Sequence, residues 1–148
     1  MYTVDASVWV NAFDNREPGH TTSREMLDVL KVRVIPIIVP NLILAEVAGA
    51  ISRTREDPEQ AEAFTSALGN LPNVTLVPLD EAHACRAQSL AARHGLRGAD
   101  AVYAAVAEQS GCTLITLDNE HLTRLSAIVK TSTPEAALTE LKSPPPTS

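Results

Sequence analysis

The sequence predicts an α/β fold in which a central parallel sheet of five strands is flanked by helices, forming a three-layer sandwich. Three observations support this prediction. Short apolar runs with strand character alternate with segments of helical periodicity along the whole chain. Strands that are separated by helices form parallel sheets covered on both faces. The chain has 148 residues, of which 45% are apolar, and is long enough to bury one such core.

The predicted strands are apolar runs that end at a turn-forming or acidic residue. Pro40 ends the second run, because proline has no N–H to donate to a neighbouring strand. Asp5 and Asp118 end the first and fourth runs. The five predicted strands are YTVD (2–5), VRVIPIIVP (32–40), NVTLVPL (73–79), CTLITLD (112–118) and AIVKT (127–131).

The predicted helices carry recognisable start and stop signals. Asn41, Asp80 and Thr133 suit N-cap positions, and Gly95 and Gly111 suit helix ends. The predicted helices are ASVWVNAF (6–13), TTSREMLDVLKV (21–32), NLILAEVAGAISRT (41–54), PEQAEAFTSALGNL (58–71), DEAHACRAQSLAARHG (80–95), GADAVYAAVAEQSG (98–111), NEHLTRLS (119–126) and TPEAALTELK (133–142).

The composition predicts a single domain over residues 1–142, followed by a disordered Pro-rich tail, SPPPTS, over residues 143–148. No signal peptide precedes the first strand and no run is long enough to span a membrane, so we expect a cytoplasmic protein without membrane contact. The two cysteines, Cys85 and Cys112, are expected to be buried free thiols; a disulfide is the alternative. The net charge of −6 disfavours indiscriminate polyanion binding, although bound divalent cations supply positive charge locally.

Four carboxylates are not explained as solvated surface groups. Asp5 and Asp118 follow apolar strands, and Glu46 lies among apolar residues of its helix. Asp100 is in the first turn of a helix that is almost wholly apolar. Each has a structural explanation when taken alone, since Asp5 or Asp100 could cap a helix, Asp118 could start a turn, and Glu46 could pair with an arginine. The carboxyl ends of parallel strands meet at one edge of a sheet, so we expect the four side chains to converge there.

A group of carboxylates needs a cation, because like charges in one site repel each other. Mg²⁺ or Mn²⁺ prefers oxygen ligands and keeps several of its waters. Such a site suits hydrolysis of a phosphodiester bond, in which the metal activates water and neutralises charge on the phosphate. The sequence therefore predicts a metal-dependent phosphodiester hydrolase.

These motifs resemble the PIN domain, and within it the VapC-type toxins of bacterial toxin–antitoxin pairs. The resemblance extends to about Lys142. Its elements are VDASVWV with Asp5 and Ser7, LILAEVAGAI with Glu46, LRGADAVYAAVAEQSG with Asp100, and LITLD with Thr116 and Asp118.

The resemblance implies a Mg²⁺- or Mn²⁺-dependent endoribonuclease that acts on RNA, forms a homodimer and is inhibited by a cognate antitoxin. Asp5, Glu46, Asp100 and Asp118 would be the catalytic metal ligands, and Ser7 and Thr116 would be supporting hydroxyls. Asn11 stands where many relatives carry an acidic residue, which leaves the contribution of that position open. Arg97 either contacts a substrate phosphate or is a surface arginine. Trp9, Phe13 and Tyr103 are expected to be core or dimer contacts.

Two other functions are compatible with parts of the pattern. A receiver-like signalling domain shares the sheet, the acidic edge and a late lysine, here Lys130, but leaves Glu46 and Asp100 unexplained. A non-catalytic PIN-like binding module would not require the four carboxylates.

Overall fold

The computed structural model describes residues 1–144. The parallel sheet contains β1 (Tyr2–Val4), β2 (Ile37–Pro40), β3 (Val74–Val77), β4 (Thr113–Ile115) and β5 (Thr131–Ser132). The helices are α1 (Ala6–Phe13), α2 (His20–Val32), α3 (Leu42–Arg55), α4 (Pro58–Gly69), α5 (Glu81–His94), α6 (Gly98–Ser110), α7 (Asn119–Arg124) and α8 (Pro134–Lys142). The predicted fold class is confirmed. Of the predicted tail, residues 145–148 lie outside the described residues.

The strand order in the sheet is β3-β2-β1-β4-β5, and every pairing is parallel. The chain builds outward from β1 through β2 to β3, and then returns to the other side of β1 to add β4 and β5. The order therefore reverses between β1 and β4. In open parallel sheets a reversal of this kind opens a crevice at the carboxyl ends of the two strands.

The core lies between the sheet and the helices packed on it. Helix α6 is the most deeply enclosed helix, since every residue from Ala101 to Ala107 is buried. Its run of small residues allows close approach to β1, β2 and β4, which it crosses. Because α6 leads into β4, it runs opposite to the strands, and its first turn lies at their carboxyl edge.

Several predicted caps are confirmed by hydrogen bonds. The side chain of Asp80 accepts from the His83 N–H at 2.9 Å, and that of Thr133 accepts from the Ala136 N–H at 3.1 Å. Gly95 and Gly111 end α5 and α6 in the left-handed conformation. The prediction for Asn41 was wrong in one respect, because Asn41 precedes α3 but its side chain caps nothing.

All five strands are shorter than the predicted runs. Val32 ends α2 and Val34 adopts a left-handed conformation with φ of 52°, so β2 begins only at Ile37. Strand β4 ends at Ile115, three residues before Asp118. Of the predicted fifth strand only Thr131 lies in β5, because a 3₁₀ turn at Leu125–Ala127 precedes it and residues 128–130 are not in a strand. These segments have β-branched composition, but tertiary context decides strand formation.

An ion-pair cluster around the buried Asp14 joins the end of α1 to the end of α3. The Asp14 carboxylate is 3.0 Å from the Arg16 guanidinium and 2.9 Å from that of Arg55. The Arg55 guanidinium also lies 5.6 Å from the ring centre of Phe13, which packs edge-on against Phe64. Hydrogen bonds and charge from Arg16 lower the pKa of Asp14. The two arginines, which are more exposed, pair the charge of this buried carboxylate.

Both cysteines are free thiols, as predicted, although only Cys112 is buried and Cys85 is exposed. Among residues 1–144, no helix has the length and apolarity that a membrane crossing requires.

Leu114, at the centre of β4, is 1% exposed, so its substitution tests the assignment of the core. We expect Leu114→Ala to lower the free energy of unfolding by about 2–5 kcal/mol, because it removes buried methyl groups and leaves a cavity. Val32→Ala, at a position that is 80% exposed, serves as the control and should change it by less than about 0.5 kcal/mol. Urea unfolding of the two variants measures the difference, and equal losses would contradict this assignment of the core.

Candidate active site

The crevice between β1 and β4 gathers the predicted acidic residues. Asp5 follows β1 directly, and its N–H donates to the Ile115 carbonyl at 2.9 Å, which ties the ends of the two strands together. Asp118 lies three residues beyond β4, and Asp100 is in the first turn of α6. Glu46 lies in the second turn of α3, the helix that follows β2. Four segments distant in sequence therefore reach the same edge of the sheet.

Two hydroxyl groups orient Asp5, which is 8% exposed. Its Oδ2 atom accepts hydrogen bonds from Ser7 Oγ at 2.7 Å and from Thr116 Oγ1 at 3.0 Å. The same hydroxyls also accept backbone N–H groups, Ser7 from Leu117 at 3.2 Å and Thr116 from Asp118 at 3.1 Å. The network holds the Asp5 carboxylate and the chain that leads to Asp118 in one rigid arrangement.

Asp118 is the N-cap of α7, and not the last residue of β4. Its Oδ1 atom accepts from the N–H groups of Glu120 and His121, at 2.8 and 3.3 Å. The structural explanation for this residue, that it starts a turn, is therefore correct. Its side chain is still 44% exposed at the edge of the sheet, and its second oxygen faces the other carboxylates.

His121 lies between three of the acidic side chains, a position that the sequence analysis did not assign to it. Its Nε2 atom is 2.9 Å from Asp100 Oδ1 and 3.7 Å from Asp118 Oδ2, and its Nδ1 atom is 3.8 Å from Asp5 Oδ2. The sequence did contain a signal for it. A residue three positions after a helix N-cap lies in the first turn, close to the capping side chain.

The charged side chains of this cluster shift one another's pKa values. The interaction with the Asp5 carboxylate is the main cause that raises the pKa of His121, and the charges of Asp100 and Asp118 add to it. The pKa of the imidazole is about 9, although burial opposes the shift. Burial would raise the pKa of Asp5, but the contacts from His121, Ser7 and Thr116 outweigh it, and its pKa is lowered. The imidazole is therefore a cation at neutral pH and compensates the carboxylates around it.

Glu46 occupies the least polar part of the site. Burial raises its pKa, and the negative charges of Asp5 and Asp100 raise it further, while the Tyr103 hydroxyl and the charge of His121 oppose the shift. Within residues 1–144, neither its buried Oε1 atom nor the nearby Tyr103 hydroxyl completes a hydrogen bond of good geometry, although the two groups are close enough to interact. Burial and the Glu46 charge raise the pKa of Tyr103, so this hydroxyl keeps its proton at neutral pH. A proton donor and an unsatisfied carboxylate oxygen thus lie side by side.

Arginine side chains border the acidic edge. A cleft of about 360 Å³ is lined by Arg97, Arg124, Asp100, Asp118 and His121. Arg97 directly precedes α6, and the Arg124 guanidinium lies 3.4 Å from the Gly95 carbonyl. Both side chains are exposed, and within the described chain neither forms an ion pair with a carboxylate.

The donor atoms suit a hard divalent cation. Carboxylate oxygens are the ligands that Mg²⁺ and Mn²⁺ prefer, and one oxygen of Glu46 is unsatisfied. Across residues 1–144, no three His, Cys, Asp or Glu side chains are placed to hold a metal as they stand. The physical reason is that the His121 imidazole separates Asp5, Asp100 and Asp118. The residues therefore fit a metal by their chemistry, while their present geometry is that of a charge-compensated cluster.

Other residues singled out in the sequence have structural positions. Trp9 and Tyr103 are buried in the core, and Phe13 packs on Phe64, so Trp9 does not offer a dimer surface. The Asn11 amide donates to the Pro18 carbonyl at 2.9 Å and holds the loop after α1.

Lys130 precedes β5, at the opposite edge from Asp5, and is 3.7 Å from Glu140. A receiver-like site would require this lysine beside Asp5.

A PIN-domain family model matches residues 2–127 of this chain. The chain therefore belongs to the PIN-domain family. No curated protein matches it in sequence.

Three solved structures share this fold at low sequence identity. Mycobacterium tuberculosis VapC20, described as a sarcin-ricin loop cleaving toxin, is 19% identical, with a TM-score of 0.69 over 82% of this chain and 92% of that one. Rickettsia felis VapBC2, bound to a DNA fragment from its promoter, is 19% identical, with a TM-score of 0.66 over 89% and 97%. Neisseria gonorrhoeae FitAcB is 22% identical, with a TM-score of 0.65 over 90% and 98%. At these identities the likeness establishes the fold.

The pKa of His121 provides a direct test of the cluster. Because its folded-state pKa, about 9, lies above its unfolded value, the stabilisation is complete below about pH 6.5 and is lost as the pH rises through 9. In EDTA, we expect the excess stability of the wild type over His121→Gln to be largest below pH 6.5 and smallest above pH 9. Urea unfolding across this range, with an NMR titration of the imidazole, measures both quantities. A titration midpoint of the imidazole near pH 6.5 would show that the carboxylates do not stabilise its protonated form.

Proposed function

We propose that this protein is a Mg²⁺- or Mn²⁺-dependent endoribonuclease toxin that hydrolyses RNA phosphodiester bonds and is restrained by a cognate antitoxin. The observation that carries the proposal is the convergence of Asp5, Glu46, Asp100 and Asp118 at the switch point of a PIN-domain sheet. The RNA-cleaving activity in the description of VapC20 supports the choice of substrate.

In this proposal the four carboxylates hold the metal. When bound, the metal supplies an activated water and neutralises negative charge on the attacked phosphate. Ser7 and Thr116 keep the Asp5 carboxylate in one orientation, because both donate to its Oδ2 atom. Preorganised ligands of this kind hold their geometry without rearrangement during the reaction.

His121 supplies a positive charge in the same site. Without a metal, the imidazolium compensates Asp5, Asp100 and Asp118 from distances of 2.9 to 3.8 Å. A divalent cation would carry more charge than the imidazolium and would compete with it for the carboxylates of Asp5, Asp100 and Asp118. Metal binding and the present position of His121 would then be alternatives, and a cation would reduce the repulsion within the cluster in either state.

Arg97 contacts a substrate phosphate. Its exposed guanidinium lies in the same cleft as Asp100 and Asp118 and has no ion-pair partner within residues 1–144. A guanidinium offers several N–H donors in a planar fork that matches phosphate oxygens. It would hold the RNA strand beside the carboxylates, and would partly offset the net charge of −6 at the point of contact.

The partners of the proposed toxin are its antitoxin and a second copy of the chain, and we place it in the cytoplasm. Its apolar cleft between α3, α5 and α6 supports a homodimer. This cleft, of about 440 Å³, is lined by Leu42, Leu79, Ala87, Ala91 and Val102. Leu79 is 48% exposed, and contiguous exposed apolar surface is typical of protein interfaces.

Two alternatives have less support. A receiver-like phospho-acceptor domain needs a lysine near Asp5, but Lys130 pairs with Glu140 at the other edge. A non-catalytic binding module gives no reason for an unsatisfied Glu46 oxygen in an otherwise organised acidic cluster.

Asp100→Asn tests the proposed activity. We expect it to lower the rate of RNA cleavage by at least about a hundredfold, because even residues that only support metal ligands affect activity by 10–100-fold. Chelation by EDTA should abolish cleavage by the wild type, and added Mg²⁺ or Mn²⁺ should restore it. Asp28→Asn on α2 is the control, since this exposed aspartate lies in a different cleft. Thermal unfolding confirms that each variant is folded, and full cleavage by Asp100→Asn would refute the proposed site.

The proposed homodimer is tested by Leu79→Asp. We expect light scattering to give a dimer for the wild type at micromolar concentration and a monomer for the variant, because dimerisation would bury an unpaired carboxylate. Val32→Asp at the end of α2 introduces the same charge at an exposed apolar position outside this cleft and should leave the dimer intact. A monomeric wild type would contradict the homodimer.

A further inference from the structure

A second cleft lies on the other side of the acidic cluster, and its polar groups are not all used by the proposed metal site. It encloses about 420 Å³ and is lined by Ser7, Glu46, Ala50, Arg53 and Leu117, together with Glu17 at its rim. Ser7 and Glu46 connect this cleft to the carboxylates. Leu117, which immediately precedes Asp118, also lines this cleft.

Arg53 is the cationic side chain of this cleft, and its position depends on Gly49. The two residues are four positions apart on α3 and lie on the same face as Glu46. A Cβ atom on Gly49 would be 3.1 Å from Arg53 Nη1 and 3.9 Å from its Cζ. Outside the helix backbone, nothing else lies within 4 Å of that point. The guanidinium thus lies back along the helix towards Glu46, over the space that a glycine leaves.

The guanidinium of Arg53 is not neutralised by a carboxylate of residues 1–144, although Glu17 and Glu46 line the same cleft. Three arginines, Arg16, Arg55 and Arg86, are ion-paired at close range. Arg55, only two positions along the chain from Arg53, is 2.9 Å from Asp14. Other exposed arginines, Arg24 among them, form no ion pair within residues 1–144, so it is the location of Arg53 that distinguishes it. Its guanidinium lines the same cleft as Ser7 and Glu46 and is available there to an external anion.

We infer that Arg53 is a substrate-positioning residue that binds a backbone phosphate of the RNA on the Glu46 side of the site. This inference rests on the proposed function. Arg97 and Arg124 lie on the Asp118 side, so phosphates held on the two sides place the strand across the carboxylates. The scissile phosphate then lies between two anchored neighbours. Leu117, which is 40% exposed and lines the Glu46-side cleft, offers an apolar contact to a nucleotide bound there.

Three variants separate this role from a structural one. Arg53→Ala removes the guanidinium, and Arg53→Lys keeps its charge but loses the planar fork. Gly49→Leu leaves Arg53 in the sequence but fills the space over which its guanidinium lies. Leucine is a far better helix former than glycine, so this variant should unfold at the wild-type temperature or above it. Arg24→Ala is the matched control, because this exposed arginine of α2 lines a separate cleft with Trp9 and Phe64.

Binding and cleavage are measured on a short, fluorescently labelled single-stranded RNA of mixed sequence. We expect Arg53→Ala and Gly49→Leu each to raise KM and the dissociation constant about tenfold, the size of one charged hydrogen-bond contact. The value of kcat should change much less. The slope of log affinity against log salt should fall by about 0.7 for Arg53→Ala and stay unchanged for Arg53→Lys, which binds with intermediate affinity. Adding Gly49→Leu to Arg53→Ala should have no further effect, because both act through one group.

The outcomes distinguish this inference from the proposed function. If the wild type cleaves RNA but Arg53→Ala and Gly49→Leu bind it like the wild type, the role of Arg53 is wrong and the nuclease stands. If the wild type does not cleave, the nuclease fails, and the salt slope of binding in EDTA still decides the role of Arg53. Failure of the wild type to bind RNA would overturn both the proposed nuclease and the proposed role of Arg53. An equal effect of Arg24→Ala would show that only general charge matters.

Discussion

Repulsion between carboxylates at the carboxyl edge of the sheet is the constraint on which the rest of this site depends. Two like charges about 4 Å apart repel by about 4 kcal/mol at an effective dielectric constant of 20. The imidazolium of His121 lies among three of these carboxylates and partly compensates their charge, and its pKa rises to about 9 as a result. Burial and the charges of Asp5 and Asp100 raise the pKa of Glu46, although Tyr103 and His121 oppose the shift. The cluster is therefore organised around a cation.

The topology of the sheet makes this arrangement possible. Because β1 lies between β2 and β4, residues that follow three different strands reach one crevice. Helix α6 adds Asp100, since a helix that leads into β4 must start at the carboxyl edge. The hydroxyls of Ser7 and Thr116 then fix Asp5, and they accept the backbone N–H groups of the segment that carries Asp118. The same two hydroxyls therefore hold the Asp5 carboxylate and the segment that follows β4.

The arginines divide into two groups with different physical roles. Arg16, Arg55 and Arg86 form close ion pairs, and two of these pairs meet at the buried Asp14, where an unpaired charge would be destabilising. The arginines that border the acidic edge are exposed and form no ion pair within residues 1–144, although carboxylates line the same clefts. Pairing would have neutralised both partners. Their separation leaves oxygen atoms for a cation and guanidinium groups for an anion, as cleavage of a polyanion requires.

The sequence by itself determined the parallel α/β fold, most helix bounds and the four acidic positions, because strand ends, helix caps and apolar periodicity are local patterns. It did not determine that Asp118 caps α7, that β5 is two residues long, or that Val34 leaves the strand, since these depend on packing and backbone closure. Only the tertiary structure placed His121 beside Asp5 and Asp100, because this contact joins segments that are distant in sequence. The contact of Arg53 with Gly49 is local to α3, but only the fold shows that this face of the helix lines the cleft beside Glu46.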